Sequence, residues 1–315
     1  MALSKITAAV FLLFLFVSCN NTQDVQKVEV PYLMVLGNTQ DAGSPQLGCK
    51  KACCVNLSPE AGAMRMVSAL GIAVPKSASS ILFDATPDII QQLNLLQSKT
   101  DIKLPEVPSA SFLTHAHIGH YTGLMYYGRE SLSADKAQVY TMPRMANFLT
   151  NNGPWSQLVE LNNIELQQLS DSTEVSIGDV TIKPFLVPHR DEFSETVGYE
   201  IVSVNKSILF IPDIDKWEKW QESIVEKISE VDYAFLDATF YDEKEIGYRD
   251  ISEIPHPFVI ESMKLFDPLP NREKSKIFFI HMNHTNPLLR TDSYEYKQVI
   301  SNGYNVAAVG DTLHI

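Results

Sequence analysis

Residues 112–124 read Phe-Leu-Thr-His-Ala-His-Ile-Gly-His-Tyr-Thr-Gly-Leu. A short apolar run ends at Thr114, and three of the chain's 8 histidines follow at once. Neutral imidazole is the commonest side-chain ligand of transition metals. His115 and His117 alternate at the mouth of a predicted strand, and His120 lies at the start of a predicted helix, from which it can reach the same place. The spacing predicts a metal site, with a chance group of surface histidines as the alternative.

Three further candidate ligands follow apolar runs later in the chain. His189 follows Val187-Pro188, Asp213 ends the run Ser207-Ile-Leu-Phe-Ile-Pro, and His281 ends Lys276-Ile-Phe-Phe-Ile. Strand ends on a sheet scaffold hold ligands rigidly. Taken singly, each of the three would more often be a capping or surface residue.

The order of these blocks resembles that of the metallo-β-lactamase superfamily. His115-Ala-His117-Ile-Gly-His120 is similar to its HxHxDH signature, although Gly119 stands where the signature has aspartate. The later blocks resemble the superfamily's third ligand, its metal-bridging aspartate and its last ligand. The resemblance covers residues 31–315 and implies an α/β fold, an αββα sandwich of mixed sheets with helices on the outer faces.

The hydrophobic pattern alone indicates only a mixed α/β protein. Strand-like runs are consecutive between residues 173 and 211, so part of the sheet is predicted to be antiparallel. Helical spacing is predicted over residues 59–70, 214–229, 256–267 and 292–301. We find no linker that would divide residues 31–315, which we expect to form one domain.

The resemblance assigns the ligands to two metal sites. His115, His117 and His189 would hold a catalytic zinc with an open fourth position, where bound water has a pKa of about 7. His120, Asp213 and His281 would hold a second ion. Because Gly119 removes one ligand from that site, either the enzyme uses a single metal or a neighbouring group substitutes. The candidates for this substitution are His284, Asp215 and Asp237.

Other residues near these blocks receive supporting roles. Asp213 and His284 are the candidate catalytic groups. Asp84, at the end of another predicted strand, is expected to orient a ligand histidine. Tyr121, Leu124 and Tyr126 are candidates for the wall of a substrate pocket, with core packing as the alternative for Leu124.

Three cysteines lie close together at positions 49, 53 and 54. With one histidine they would make a closed structural zinc site of the Cys3His type, and His256 is the predicted fourth ligand. Some phosphodiesterases of the metallo-β-lactamase fold look similar here, although the CxxxCC spacing differs. A disulfide between Cys49 and Cys53, or free buried thiols, are the alternatives.

Three tracts resemble a particular group within the superfamily. They are Leu36-Gly-Asn-Thr-Gln-Asp-Ala-Gly-Ser-Pro-Gln-Leu-Gly-Cys49, Ile211-Pro-Asp-Ile-Asp215 and His281-Met-Asn-His-Thr-Asn-Pro-Leu288. All three are similar to the pyrroloquinoline quinone biosynthesis protein B group. Membership of a fold family does not by itself determine function.

The first residues have the pattern of an export signal. Lys5 precedes an apolar run that ends at Val17, and Phe16-Val-Ser-Cys19 resembles a bacterial lipoprotein cleavage box. We therefore predict a signal peptide over residues 1–18, lipidation of Cys19 and a polar tether over residues 19–30. The protein would be an exported lipoprotein, anchored in a membrane and facing the periplasm or the exterior. An ordinary signal peptide or an uncleaved anchor is the alternative.

The charge of the chain excludes one class of partner. The formal net charge is −13, and no run of Lys or Arg provides the basic surface typical of nucleic-acid binding. We expect a small-molecule substrate and no nucleic-acid partner. The sequence does not determine the oligomeric state.

Three functions are compatible with these residues. The favoured one is a metal-dependent hydrolase that uses activated water on a small ester, phosphodiester or lactam-like substrate. It would hold one or two zinc ions at the active site and one more at the cysteines. The alternatives are an iron-dependent redox enzyme on the same ligands and a non-catalytic metal-binding or substrate-binding lipoprotein. Metal identity separates the first two, and turnover separates both from the third.

Overall fold

The computed structural model describes residues 30–190, 192–247 and 254–315. The predicted signal peptide, the lipidation site Cys19 and the tether up to residue 29 lie outside the described residues. Among the helices that are described, none is long and apolar enough to cross a membrane.

Two seven-stranded mixed sheets form the centre of the described structure. The first contains β1 (Tyr32–Gly37), β2 (Ala69–Val74), β3 (Ser79–Phe83), β4 (Ala110–Phe112), β5 (Ala137–Thr141), β6 (Ile164–Gln168) and β14 (Thr312–His314), in the order 14-1-2-3-4-5-6. The second contains β7 (Val175–Ile177), β8 (Val180–Leu186), β9 (Val197–Val202), β10 (Ser207–Ile211), β11 (Tyr233–Asp237), β12 (Ile277–Ile280) and β13 (Asn305–Val306), in the order 13-12-11-10-9-8-7.

Short helices lie in the connections between the strands. They are α1 (Ala52–Val55), α2 (Pro59–Ala63), α3 (Ile89–Ser98), α4 (Ile118–Tyr121), α5 (Pro143–Asn151), α6 (Trp155–Glu160), α7 (Ile224–Glu230), α8 (Glu243–Ile246), α9 (Val259–Phe266), α10 (Asn271–Lys274) and α11 (Tyr294–Ser301). Single 3-10 turns lie at Pro75–Ser77, Thr122–Tyr127, Trp217–Lys219 and Pro287–Leu289.

The core is divided into layers by the alternation of side chains along the strands. In β1, Leu33 and Val35 face the second sheet, while Met34 and Leu36 face α3 on the outside. The outer face of the second sheet packs against α7, α9 and α11. The predicted αββα sandwich is therefore confirmed.

The parallel parts of both sheets bring the candidate ligands to strand ends. β3 pairs in parallel with β4, and β10, β11 and β12 are parallel neighbours. β1 runs in the same direction as β3, because β2 lies between them and is antiparallel to both. In the same way, β8 runs in the same direction as β10, because β9 lies between them and is antiparallel to both. The carboxyl ends of these strands consequently share an edge in each sheet, where the loops that follow can meet.

Candidate metal centre

The first group of ligand atoms lies between the two sheets' carboxyl edges. His115, His117, His189 and Asp213 each bring one ligand atom within 4.8 Å of the others. His115 Nε2 is 2.8 Å from His117 Nδ1 and 3.3 Å from Asp213 Oδ2. His189 Nε2 is 3.3 Å from the other carboxylate oxygen, Oδ1. The structure thus brings together the four residues that we predicted from separate parts of the chain.

A second group lies beside the first and shares Asp213. His120 Nε2 is 3.3 Å from His281 Nε2, and Asp213 Oδ2 lies 4.0 Å and 3.8 Å from these two nitrogens. Asp213 therefore faces both groups, as a bridging carboxylate would. The fourth member is Asp41, whose Oδ1 is 3.0 Å from His120 Nε2.

Asp41 was not among the ligands that we predicted from the sequence. The residue lies inside the tract that follows β1, and β1 ends at the same sheet edge as β3. That topology is the only signal that could have identified it, because no local spacing connects Asp41 with the histidines.

The buried ligand histidines have their second ring nitrogen beside an oxygen atom. This arrangement determines which nitrogen faces inward and raises ligand basicity. The contacts are His115 Nδ1 to Thr114 Oγ1 at 2.9 Å, His120 Nδ1 to Asp84 Oδ2 at 2.7 Å, His189 Nδ1 to Asp215 Oδ1 at 3.3 Å and His281 Nδ1 to Thr239 Oγ1 at 3.0 Å. The expected contact of Asp84 with a ligand histidine is present. Asp215 lies behind His189 and also accepts from Lys219, so it is not placed to replace a ligand of the second group.

Two inward-facing atoms fit a metal ion better than a hydrogen-bond network. Among the described residues, His189 Nε2 and Asp213 Oδ1 are buried and have no hydrogen-bond partner. Buried polar atoms are usually paired, because an unpaired one costs about 1–3 kcal/mol. A cation between them would satisfy both atoms.

The electrostatics favour neutral imidazole at His115 and His117 and an ionised carboxylate at Asp213. Burial lowers the pKa of His115 well below its usual range, and burial also lowers the pKa of His117. Burial opposes ionisation of Asp213, but the charges of His189 and His256 outweigh it and hold the pKa of this carboxyl well below its usual range. Neutral imidazole and ionised carboxylate are the forms in which these residue types bind metals. At His189 the charge of Asp213 outweighs burial and raises the pKa to about 9, so an ion there would replace the proton of the ring.

Two residues of the centre have left-handed backbone geometry. Asp84 has φ of 67° and His281 has φ of 65°, and neither is glycine. Such positions are strained by about 1–3 kcal/mol and are concentrated at functional sites. In both cases the conformation turns the chain sharply at a strand end, which directs the side chain along the shared edge.

His256 lies at the histidine–carboxylate centre, which corrects our assignment of it to the cysteines. Its Nδ1 is 2.9 Å from Asp237 Oδ2 and 3.1 Å from Asp213 Oδ1. The opposing charges of Asp237 and Asp213 outweigh burial and raise the pKa of His256 well above its usual range. Asp237 also accepts from the backbone N–H groups of Ile214 and Thr239, so it supports the second sheet's edge instead of replacing a ligand at Gly119.

His284 occupies the place in the cysteine cluster that we had predicted for His256. The sulfur atoms of Cys49, Cys53 and Cys54 and one His284 ring nitrogen all lie within 4.8 Å of one another. All three cysteines are free thiols. His284 is brought there by its position three residues after His281, beyond the end of β12. It is therefore not placed for the catalytic role, or for the replacement at Gly119, that we had considered.

The predicted pocket residues have different surroundings from those expected. Leu124 is fully buried, and Tyr121 packs against Phe148 and Trp155, with ring centroids 5.5 Å and 4.9 Å away. Both belong to the core of the first sheet's outer face. Tyr126 is exposed. The more accessible part of the centre is at His117, whose Nε2 lies 3.3 Å from the exposed Glu192.

The chain matches the family model described as "Beta-lactamase superfamily domain" over residues 79–282. It is similar to coenzyme PQQ synthesis protein B of Methylobacillus flagellatus, with 26% identity over 311 residues that cover 89% of this chain and 98% of the relative. The corresponding protein of Methylorubrum extorquens is 23% identical over 310 residues, which cover 90% of this chain and 100% of the relative.

Two solved structures share the fold at low identity. One is zinc-bound PqqB from Methylobacterium extorquens, with a TM-score of 0.70, 22% identity and coverage of 90% of this chain and 100% of that one. The other is a diphosphatase from the PhnP family, with a TM-score of 0.66, 19% identity and coverage of 90% and 98%.

Proposed function

Because the chain belongs to the β-lactamase superfamily and has the metallo-β-lactamase fold, we propose that it is a zinc-dependent hydrolase of a small ester, phosphodiester or lactam-like substrate. The observation that carries the proposal is the pair of buried atoms without partners, His189 Nε2 and Asp213 Oδ1, at the point where the ligands of the first group converge. The zinc in the similar solved structure supports this choice of metal.

Each of the two groups of residues would hold one metal ion. His115, His117 and His189 would hold one ion, His120 and His281 would hold a second, and Asp213 would contact both. When bound, zinc supplies a Lewis acid that polarises the scissile group and acidifies water at neutral pH. The ring of His256 is hydrogen-bonded to Asp237 Oδ2, and its charge, 3.1 Å from Asp213 Oδ1, stabilises the negative charge of Asp213 between the two groups. Substrate would enter beside His117, the partly exposed ligand.

Turnover of chromogenic substrates tests this proposal. Zinc-loaded protein would be assayed with bis(p-nitrophenyl) phosphate, p-nitrophenyl acetate and nitrocefin, beside His117→Ala and the matched control His314→Ala. His314 is an exposed histidine on the edge strand β14. We expect hydrolysis of at least one substrate, its loss in His117→Ala with unchanged circular dichroism, and no effect of the control. Undiminished turnover in folded His117→Ala would remove this residue from the centre.

The other two functions stay predictions. Iron-dependent redox chemistry would use the same ligands, and a non-catalytic binding protein would use the same fold. Metal analysis separates the first from the hydrolase, and absence of turnover on all three substrates by zinc-loaded protein would favour the second.

The cysteine cluster supports a separate structural zinc site. Cys49, Cys53, Cys54 and His284 form the Cys3His donor set of a closed site. Burial, together with the neighbouring thiols, raises the pKa of Cys53 to about 11. The Cys53 thiol therefore keeps its proton in the absence of a metal, and zinc binding would displace that proton to give the thiolate ligand.

The predicted location is also a proposal. Lipidation of Cys19 would anchor the protein in a bacterial membrane facing the periplasm or the exterior. Mass spectrometry of the amino terminus after expression in a bacterium tests it. A diacylglyceryl adduct on Cys19 is expected, and an unmodified amino terminus that begins at Met1 would contradict export.

A further inference from the structure

The loop after β1 is fixed beside His281 by its backbone. Gln40 N–H donates to Met282 O at 2.9 Å, and Met282 N–H donates to Asn38 O at 2.8 Å. On the other side, Thr39 N–H donates to Met66 O at 3.0 Å. Asp41 follows this pinned segment directly. Its position at the centre is therefore determined by backbone hydrogen bonds on both sides and does not depend on its own side chain.

The carboxylate of Asp41 contacts two ligand nitrogens at once. Asp41 Oδ1 is 3.0 Å from His120 Nε2 and 3.4 Å from His281 Nε2. The opposite nitrogens of the two rings are engaged by Asp84 and Thr239. Two imidazole nitrogens and a carboxylate oxygen therefore converge on one point, with only 12% of the Asp41 side chain exposed. An ion pair with one protonated histidine would not require the second contact.

Asp41 occupies the space in which a side chain at position 119 would lie. A Cβ atom built on Gly119 would lie 2.6 Å from Asp41 Cα and 2.7 Å from Asp41 Oδ1. Real Cβ atoms essentially never approach other atoms so closely, and the first of these contacts is with backbone that is held in place. Any side chain at position 119 would displace Asp41 from the two histidines.

We propose that Asp41 is the carboxylate ligand of the second metal ion, and that residue 119 is glycine because the Asp41 loop fills the space of its side chain. Asp41, from the loop after β1, thus takes the place of the aspartate that the histidine motif lacks at position 119. This inference rests on the proposed metal centre. It predicts that the second site is a full site of His120, His281, Asp213 and Asp41, instead of a weakened one.

Zinc titration of the full-length protein tests this assignment. Affinities of successive ions would be measured against a chromophoric chelator for unmodified protein, Asp41→Asn, Gly119→Ala and the control Asp179→Asn. Asp179 is a surface carboxylate paired with Lys76. We expect the second ion to bind at least about tenfold more weakly in Asp41→Asn, since loss of an outer partner alone costs that much. Gly119→Ala should weaken it too, although it removes no ligand atom, and the control should not.

Unchanged affinity of the second ion in folded Asp41→Asn would overturn the assignment. If that variant does not fold, a zinc-soaked crystal of the unmodified protein decides the question. Asp41 Oδ1 within about 2.0–2.2 Å of an ion is expected, and a larger separation would refute the proposal. Failure of the hydrolase proposal would be recognised separately, as two ions bound at the histidine–carboxylate centre without turnover on any of the three substrates.

Discussion

Asp84→Asn should weaken metal binding at His120 without contacting a metal. The Asp84 side chain is fully buried at the end of β3. It accepts from Thr114 N at 2.8 Å, from Thr114 Oγ1 at 3.0 Å and from His120 Nδ1 at 2.7 Å. One carboxylate thus fixes both the strand end that carries His115 and the orientation of the His120 ring.

The magnitude follows from the hydrogen bonds that asparagine can keep. Its single carbonyl oxygen can still accept from Thr114 N–H, but its amide group then faces His120 Nδ1 as a donor. His120 would have to carry its proton on Nε2, the atom that faces Asp41 and His281. Losing such an outer partner lowers metal affinity by about 10–100-fold, or about 1.4–2.7 kcal/mol. The lost charge-assisted hydrogen bond adds about 1.5–3 kcal/mol to the loss of folding stability.

The assay is competitive zinc titration with a chromophoric chelator, combined with urea unfolding of the metal-free protein. Asp88→Asn is a matched control, because Asp88 accepts from Val67 N at 2.8 Å on the same sheet edge and none of the described histidines is its partner. Metal affinity of Asp84→Asn within twofold of the unmodified protein, with the fold intact, would refute the role of Asp84 in orienting His120.

Three further predictions follow from the same structure. Tyr199→Phe removes a hydroxyl that donates to Leu113 O across the inter-sheet core. Urea unfolding should show that the free energy of unfolding falls by about 1–3 kcal/mol. An unchanged unfolding midpoint would contradict a stabilising role of this hydrogen bond. Burial raises the pKa of Glu245 from its usual 4.5 to about 7, so its stabilising contribution is complete below pH 4.5 and is lost as pH rises through 7. At pH 8 the free energy of unfolding of Glu245→Gln should therefore exceed that of the unmodified protein by up to about 3 kcal/mol, whereas at pH 5 the two should differ little. Equal differences at both pH values in urea unfolding would contradict this pH dependence. His284→Ala should lower the zinc affinity of the cysteine site by at least about tenfold. It should also speed tryptic cleavage at the exposed Lys50. Unchanged zinc content and an unchanged cleavage rate would show that His284 is not a ligand of that site.

The ligands of both groups other than Asp41 could be predicted because they lie on short, local patterns. The three histidines are close in sequence, and His189, Asp213 and His281 each lie one to three residues after the end of a strand. Once the order of these blocks suggests the fold, the shared edge of the sheets brings them together. The contacts of Asp84 with His120 could be anticipated for the same reason.

Asp41 and His284 could not be assigned from the sequence, because their partners are distant along the chain. Asp41 is 79 residues from His120, and only the pairing of the β1 loop with Met282 brings it to the centre. The choice between His256 and His284 for the cysteines likewise depends on the loop after β12. Neither the hydrophobic periodicity nor the spacing of residues in the sequence predicts these contacts.

The helix predicted over residues 59–70 was partly wrong. The structure has α2 at Pro59–Ala63 and then β2 at Ala69–Val74. All six residues of β2 are buried on both faces of the sheet. A continuous apolar run of this kind cannot be distinguished from a buried helix by periodicity. The helix predicted over residues 214–229 was also partly wrong, because a separate 3-10 turn lies at Trp217–Lys219 and α7 spans only Ile224–Glu230.

Elemental analysis of the purified protein beside a Cys49/Cys53/Cys54→Ser triple variant decides whether a zinc centre of two ions exists at the histidines. We expect three zinc ions per chain, two at the proposed histidine–carboxylate sites and one at the cysteines, and two ions in the triple variant. A triple variant that is folded but retains no zinc would contradict the centre, and iron in place of zinc would contradict the proposed chemistry.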